Sequence, residues 1–420
     1  MRNFLFYALI TYCFTLSIPA REIGGGIPYG VLIDIIIILL WIVAMITSPK
    51  EDWKNIGNDL FYLITLWFIL SLLEGLNPGS SLMGWFAELR TVAAYPFLVV
   101  PLCFLILKTN KQLDTFLVLI VCLSTIGAIN GIKQLYIGLS PGEQRFLDVN
   151  PTHMIWGRLR VFSFYNDAGQ FGASQAAIGL TTLILAMGPF KKWKRIAFLI
   201  CSLLMLDGML ISGTRGALFA LIAGAFVAII ISKKFKVLFL GGILVVGFLF
   251  FLKFTHIGDG NYQIYRLRSA VDPQDASLNV RFNTQRHLQE YMSTRPFGGG
   301  LGVIGYNGVQ YNADKYLSTV QPDSYFVKVW AMYGVVGLTI WLCIMMYILG
   351  KCCGIVWKIE DEALKIKMIA LTAGFAGILV CSYGNEVINT IPSSIVVYVS
   401  WVFIYITPKL ETAEKSNILT

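Results

Sequence analysis

Charge is scarce in this chain. Only 14% of its 420 residues are Asp, Glu, Lys or Arg, against about 25% in an ordinary soluble domain, which excludes a conventional cytosolic globular protein. Histidine is scarcer still. His153, His256 and His287 are the only three, their spacing matches no metal motif, and they read as scattered loop residues. The eight cysteines form no CxxC pair and lie in apolar blocks or at their ends. Neither a disulfide framework nor a zinc cluster is indicated, and no metal or cofactor is expected. A basic face is missing too. The 33 Lys+Arg against 24 Asp+Glu give a net charge of +9, but the basic residues are spread over short loops, which excludes nucleic acid as a partner.

What the chain has in excess is apolar sequence, 56% of the total, gathered into about a dozen blocks of near-membrane length. A spanning helix needs about 20 mostly apolar residues. Twelve stretches qualify as candidates: 4–20, 28–47, 60–76, 91–107, 115–137, 164–189, 196–212, 217–232, 237–254, 323–349, 368–384 and 388–407. The expected fold class is therefore an all-α integral membrane protein with about 12 transmembrane helices. The first stretch, from Arg2 through an apolar run to Pro19-Ala20, reads either as a cleavable signal or as a first span. No internal repeat is evident.

The connections alternate in composition. The N-terminus, the loops 48–59, 108–114, 191–195, 233–236 and 351–367, and the C-terminal tail hold 18 of the 33 basic residues, 16 of them lysine. By the positive-inside rule these segments, both termini included, are cytoplasmic. The opposite side carries twelve basic residues, eleven of them arginine. Orientation alone does not distinguish the two residue types. A guanidinium offers a rigid fork matched to phosphate, whereas an ammonium is a point charge, so phosphate recognition by some of these arginines stands beside ion pairing within loops. One connection is unlike the rest: residues 255–322 form a large extracytoplasmic loop between spans 9 and 10. The expected organisation is a membrane domain over 1–254, a loop domain over 255–322, a second membrane domain over 323–407 and a tail over 408–420. Within the loop, residues 280–292 lack Gly and Pro and read as a helix of about three turns, stopped by Pro296 and the run Gly298-Gly299-Gly300.

Candidate chemistry gathers at the outer mouths of the spans. Ser212-Gly213-Thr214-Arg215-Gly216 places Arg215 on a tight turn at the membrane boundary, either as a snorkelling side chain or as a functional charge. Asp207, about one and a half turns below, is a plausible partner for Arg215 or Lys133. The stretch Arg158 to Gly172 enters span six with Arg160, Asn166, Asp167 and Gln170. Asn166 reads as a helix cap, a role that explains nothing about Arg160. Arg281 and Arg286 lie on the loop helix. Asp323, opening span ten before Ser324, is either an N-cap or a general base in reach of an acceptor hydroxyl. Gly300-Leu301-Gly302-Val303-Ile304-Gly305 fits GxGxxG, but it follows a Pro-Phe turn and not a strand, so a dinucleotide site is discounted.

Three of these segments together resemble the O-antigen ligase and O-antigen polymerase superfamily of bacterial membrane glycosyltransferases. SGTRGAL at 212–218 resembles the family's arginine turn. VRFNTQRHLQEYMSTRPFGGGLG at 280–302 resembles its large-loop arginine, helix and glycine turn, and DSYFVKVWAMYGVVGL at 323–338 resembles the opening of the span that follows. RVFSFYNDAGQFG at 160–172 is a fainter fourth. The resemblance implies transfer of a glycan, without nucleotide sugar or metal, from a polyprenyl diphosphate-linked oligosaccharide to a hydroxyl acceptor on the outer face of the bacterial inner membrane. It implies catalytic roles for Arg215, Arg281 and Asp323, and substrate-binding roles for Arg160, Arg286, Asn166, Asp167 and Ser324. Its implied partners are a glycan or lipid acceptor, membrane lipid, a flippase and a chain-length regulator. The family's ligases carry a His-Asn pair where this chain has Asp323-Ser324. That departure favours a polymerase of O-antigen, lipopolysaccharide or exopolysaccharide type, with a ligase as the alternative and a polysaccharide transporter as a lesser one.

Overall fold

A computed structural model describes every residue except 1, 25–27, 234, 259, 261, 270–271, 273, 275 and 420, and describes the backbone alone at 235–242, 244–245, 262, 276–278, 280–281 and 413–419. Its helices run in chain order as α1 (Arg2–Thr15), α2 (Ser17–Glu22), α3 (Val31–Thr47), α4 (Lys50–Trp53) and α5 (Asp59–Leu73), then α6 (Leu82–Leu89) and α7 (Tyr95–Ile106), joined by a wide π turn at Arg90–Ala94. Next come α8 (Asn110–Tyr136), α9 (Pro141–Val149), a hairpin of β1 (Met154–Ile155) with β2 (Arg158–Leu159), α10 (Ala168–Ala186), α11 (Lys192–Ile211), α12 (Arg215–Ser232) and α13 (Phe235–Phe254). The loop contributes α14 (Tyr262–Arg268), α15 (Ala276–Met292) and α16 (Gly305–Tyr311). The chain ends with α17 (Tyr325–Trp357), α18 (Glu362–Cys381) and α19 (Ser393–Leu419).

The molecule is an all-α membrane protein. Helix occupies part of each of the twelve expected stretches, but among the described residues only seven helices are long and apolar enough to cross a membrane: those over Asp59–Leu76, Leu82–Ile106, Asn110–Tyr136, Arg215–Ser232, Tyr325–Trp357, Glu362–Cys381 and Ser393–Thr412. Of the other five, α3 is an apolar helix of 17 residues, most side chains in the first half of α13 lie outside the described residues, and three differ for physical reasons. α1 is 14 residues long and breaks into α2. α11 opens on Lys192, Lys194 and Arg195. α10 carries Gln170, Ser174, Gln175, Thr181 and Thr182, all buried, because protein surrounds it where lipid would surround an outer helix.

Local chemistry sets the helix starts. Thr109 with Gln112 and Ser140 with Glu143 form capping boxes for α8 and α9, and Asp361 caps α18. In the core, α12 and α18 approach each other backbone to backbone. A Cβ on Gly224 would lie 2.6 Å from the Ala373 carbonyl oxygen, and one on Gly377 would lie 2.7 Å from that of Ala220. Such small-residue contacts let spans meet without intervening side chains. They bring the start of α12 beside the end of α18.

The large loop is stitched into α17 by an exchange of backbone hydrogen bonds. Gly334 breaks this helix with φ 70° and ψ −172°, which leaves the carbonyls of Ala331 and Met332 without their regular partners four residues on. The N–H groups of Gly299 and Gly300 donate to those two oxygens at 2.9 and 3.0 Å, and the Val336 N–H donates to the Pro296 oxygen at 3.2 Å. The glycine run that fits a nucleotide motif is therefore a backbone graft onto a broken helix. A Cβ on Gly298 would overlap the Met332 carbonyl, and one on Gly334 would overlap the Pro296 carbonyl. Both positions have positive φ.

Gly298→Ala is thus expected to cost about 3 kcal/mol or more. Gly354→Ala, on the same α17 but with open space around it, is expected to shift stability by less than about 1 kcal/mol. Thermal unfolding of the two purified variants in detergent checks the contrast; equal losses would refute the graft.

Candidate active site

A cavity of about 1020 Å³ opens where α12 and α17 begin and α18 ends. Arg215 and Gly216 enter it from the first turn of α12. Gln321, Asp323 and Ser324 come from the approach to α17, while Tyr383 and Gly384 follow α18. Thr284, Gln285 and His287 of α15, with Tyr316 and Thr319, form the loop-borne wall. Phe219, Phe326, Val327 and Val380 supply an apolar side. The loop wall is itself braced, because Tyr316 packs on Tyr291 at 4.5 Å and the Arg295 guanidinium lies 3.9 Å above the Tyr291 ring.

The turn that presents Arg215 is held from several sides. Thr214, the residue preceding α12, does not cap the helix with its side chain. Its hydroxyl instead donates to the Ala168 carbonyl at 2.8 Å, and its N–H donates to the Ser212 hydroxyl at 3.1 Å. Buried Arg266 donates to the Gly213 carbonyl at 3.2 Å and lies 5.7 Å over the Trp156 ring. Gly213 takes φ 59°, and any Cβ at Gly216 would overlap the Asn385 side chain. Arg215 itself donates to the Ser269 carbonyl at 3.3 Å across the cavity wall.

The helix caps differ from expectation. Ser324, not Asp323, is the N-cap of α17, its hydroxyl accepting from the Val327 N–H at 3.4 Å. The helix begins one residue later than the sequence suggests, which leaves the exposed Asp323 carboxylate on the cavity outside the capping role. Likewise Asp167, not Asn166, caps α10, accepting from the Gln170 N–H at 2.9 Å. Asn166 is exposed. Arg160 reaches the Thr214 hydroxyl at 3.5 Å, so it touches the arginine turn from outside the cavity. Lys133 pairs with Glu143 at 2.6 Å, not with Asp207, which sits on an exposed face of α11.

On the loop, α15 starts at Ala276, one turn before the expected residue 280. Arg286 is exposed and does not line the cavity. The Arg281 side chain lies outside the described residues. Three contributors escape sequence reasoning. His287 reads as a loop histidine, Arg266 is one of many outer arginines, and Tyr383 lies in a short segment with no motif. His153 is structural, buried with its ring edge-on to Phe146 and Phe162 at 5.3 and 5.2 Å.

A charged cluster lies beside the Asp323-Ser324 turn. Lys328, one turn into α17, reaches Glu88 of α6 at 3.0 Å and Glu386 of the 382–392 loop at 2.9 Å. Asn307 of α16 donates to the other Glu88 oxygen at 2.8 Å. A further backbone bond, Tyr325 N–H to Ser382 carbonyl at 2.9 Å, ties the same loop to the start of α17. Sequence reading places Lys328 only within a span and gives Glu88 and Glu386 no role. Their partners are more than 50 residues away in the chain, so no local pattern reveals them.

Removing Lys328 leaves two carboxylates facing each other, so Lys328→Met is expected to cost about 3–5 kcal/mol, measurable as loss of folded protein in detergent. Burial raises the Glu386 carboxyl above its ordinary value of 4.5, outweighing the pull of Lys328. The folded state therefore binds this proton more tightly than the unfolded chain. The associated stability is complete below pH 4.5 and is lost as pH rises through the raised value. The stability difference between wild type and Glu386→Gln should fall over that window, and a difference that grows with pH would contradict the assignment.

Residues 200–342, which run from α11 through the first half of α17, match the family model described as O-antigen ligase. No curated protein matches the chain. The match spans the arginine turn, the loop helix, the glycine graft and the Asp323-Ser324 turn in one segment. These elements gather around one cavity of a multi-pass membrane protein, and over residues 200–342 the chain is similar to the O-antigen ligase family.

Proposed function

We propose that the chain is a polymerase-type glycosyltransferase that moves a glycan from a polyprenyl diphosphate carrier to a hydroxyl of a second lipid-linked repeat unit. The reading rests chiefly on one observation: Arg215 and Asp323 line the same cavity, whose wall combines polar side chains such as Thr284 and Gln285 with apolar ones such as Phe219, Phe282, Phe326 and Val327. A lipid diphosphate sugar combines polar and apolar parts in the same way. The lysine-rich loops and termini read as cytoplasmic by the positive-inside rule, which supports a cavity on the outer face of a bacterial inner membrane.

The acceptor oxygen attacks the anomeric carbon and forms the new glycosidic bond. The bond from that carbon to the diphosphate oxygen breaks, and its electron pair leaves with the polyprenyl diphosphate. Arg215 stabilises the charge that builds on that leaving group, and Asp323 accepts the acceptor's proton. Arg281 is proposed as a second phosphate contact, because its helical position is three and four residues from the cavity-lining Thr284 and Gln285. Arg160, Asn166 and Asp167 would act at the edge of the site, where Arg160 meets Thr214, and Arg286 would act from the exposed face of α15. A ligase, with a lipid, protein or cell-wall acceptor, would use the same cavity.

Arg215→Lys keeps the charge and loses the fork, so turnover should fall by about 10²–10³ with membrane insertion intact. Asp323→Asn should abolish most turnover without loss of stability. Ser324→Ala should cost about 1 kcal/mol and keep turnover. Full activity in Asp323→Asn would remove the base. Deleting the gene in its host and comparing lipid-linked with surface glycans tests the reaction class. Attached single repeats without a ladder identify a polymerase, and a ladder held on the carrier identifies a ligase.

A further inference from the structure

At the end of the bundle opposite the cavity, two hollows adjoin. One, of about 390 Å³, is lined by Arg2, Lys108 and Lys111 together with Tyr7 and Ile106. The other, of about 410 Å³, is lined by Lys54, Lys108 and Lys409 together with Phe104, Leu107 and Tyr405. Lys108 belongs to both. No Asp or Glu is among the residues lining either hollow; the nearest paired carboxylate is Asp52, which meets the Lys108 ammonium. Arg2 is anchored on the Ser48 hydroxyl at 3.3 Å, and Lys409 is anchored on Asn55. Five cations thus border two cups; the second is walled by the apolar ends of α7 and α19, and the first is polar apart from Tyr7 of α1 and Ile106 of α7. Solvation alone does not call for cations converging on hollows that hold apolar side chains at a membrane boundary. An anionic headgroup with its chains against the helices does.

We propose that these hollows bind an anionic phospholipid whose headgroup carries two phosphates, one in each cup, with Lys108 between them. The division into two cups sharing one lysine favours a diphosphatidyl lipid over a single-phosphate lipid. Lysine suits this role, since a flexible point charge follows a mobile headgroup. The site is separate from the proposed catalysis and stands or falls independently of it.

The test uses the purified full-length chain in detergent, with bound lipid measured by native mass spectrometry. The probes are cardiolipin, phosphatidylglycerol at equal phosphate concentration, and inorganic pyrophosphate. Cardiolipin should bind at least tenfold more tightly than phosphatidylglycerol, and pyrophosphate should not compete. Lys54→Gln with Lys111→Gln, two exposed positions, should weaken cardiolipin binding by more than tenfold, roughly fivefold for each lysine. The matching arginine pair should restore it. Equal binding of the two lipids would overturn the two-phosphate assignment. Displacement by pyrophosphate would show a free-phosphate site instead, and unchanged binding in the glutamine pair would dismiss the hollows altogether. Unaltered melting of the lipid-free variants establishes that a loss of binding is not a loss of fold.

Discussion

A chain inside a bilayer has no water to satisfy a broken backbone, so a non-helical residue within a span must find its hydrogen bonds in protein. Gly334 is such a residue, and the rest of the site depends on how its break is repaired. The Pro296–Gly300 segment supplies two donors to the carbonyls of Ala331 and Met332 and takes one N–H from Val336 in return. The large loop is therefore fixed to the start of α17 by main-chain geometry, which side-chain substitution elsewhere cannot loosen. α15 and Tyr316 are held over the cavity as a consequence.

The second constraint is charge. Lys328, Glu88 and Glu386 draw α6, α17 and the 382–392 loop to one point. Asn307 adds α16. Such a cluster is a costly way to stabilise a fold, since desolvation offsets most of the attraction. Its value lies in position: it sets the Asp323-Ser324 turn against the loop that supplies Tyr383 and Gly384 to the cavity. The arginine turn is built by different means, with hydroxyl, carbonyl and guanidinium contacts around Gly213. Two rigid presentations, one cationic and one anionic, flank a space with an apolar side.

Much of this was legible in the sequence, and the reasons differ by element. Apolar length gave the class, and the absence of Gly and Pro located the core of α15. SGTRG was recognisable because a charge on a tight turn at a membrane boundary is rare. The cap of α17 is Ser324 and not Asp323, a choice the sequence leaves open because Asp and Ser are both good caps and only the backbone decides between them. Among the described residues seven of the twelve expected spans are long and apolar enough to cross a membrane; α10 is not among them because it is enclosed by protein and admits glutamine and threonine. The Lys328 cluster was invisible, as its three members are brought together by tertiary packing alone. The partner of the glycine run, a broken helix about 30 residues on, has no local signature.

The account's central claim is that the cavity lined by Arg215 and Asp323 transfers a glycan and releases its carrier diphosphate. The most direct measurement reconstitutes the purified chain in proteoliposomes with a polyprenyl diphosphate-linked repeat unit, following chain growth and free polyprenyl diphosphate together. The account predicts one carrier released for each glycosidic bond formed. Passage of intact lipid-linked repeats across the bilayer, with no carrier released, would contradict it.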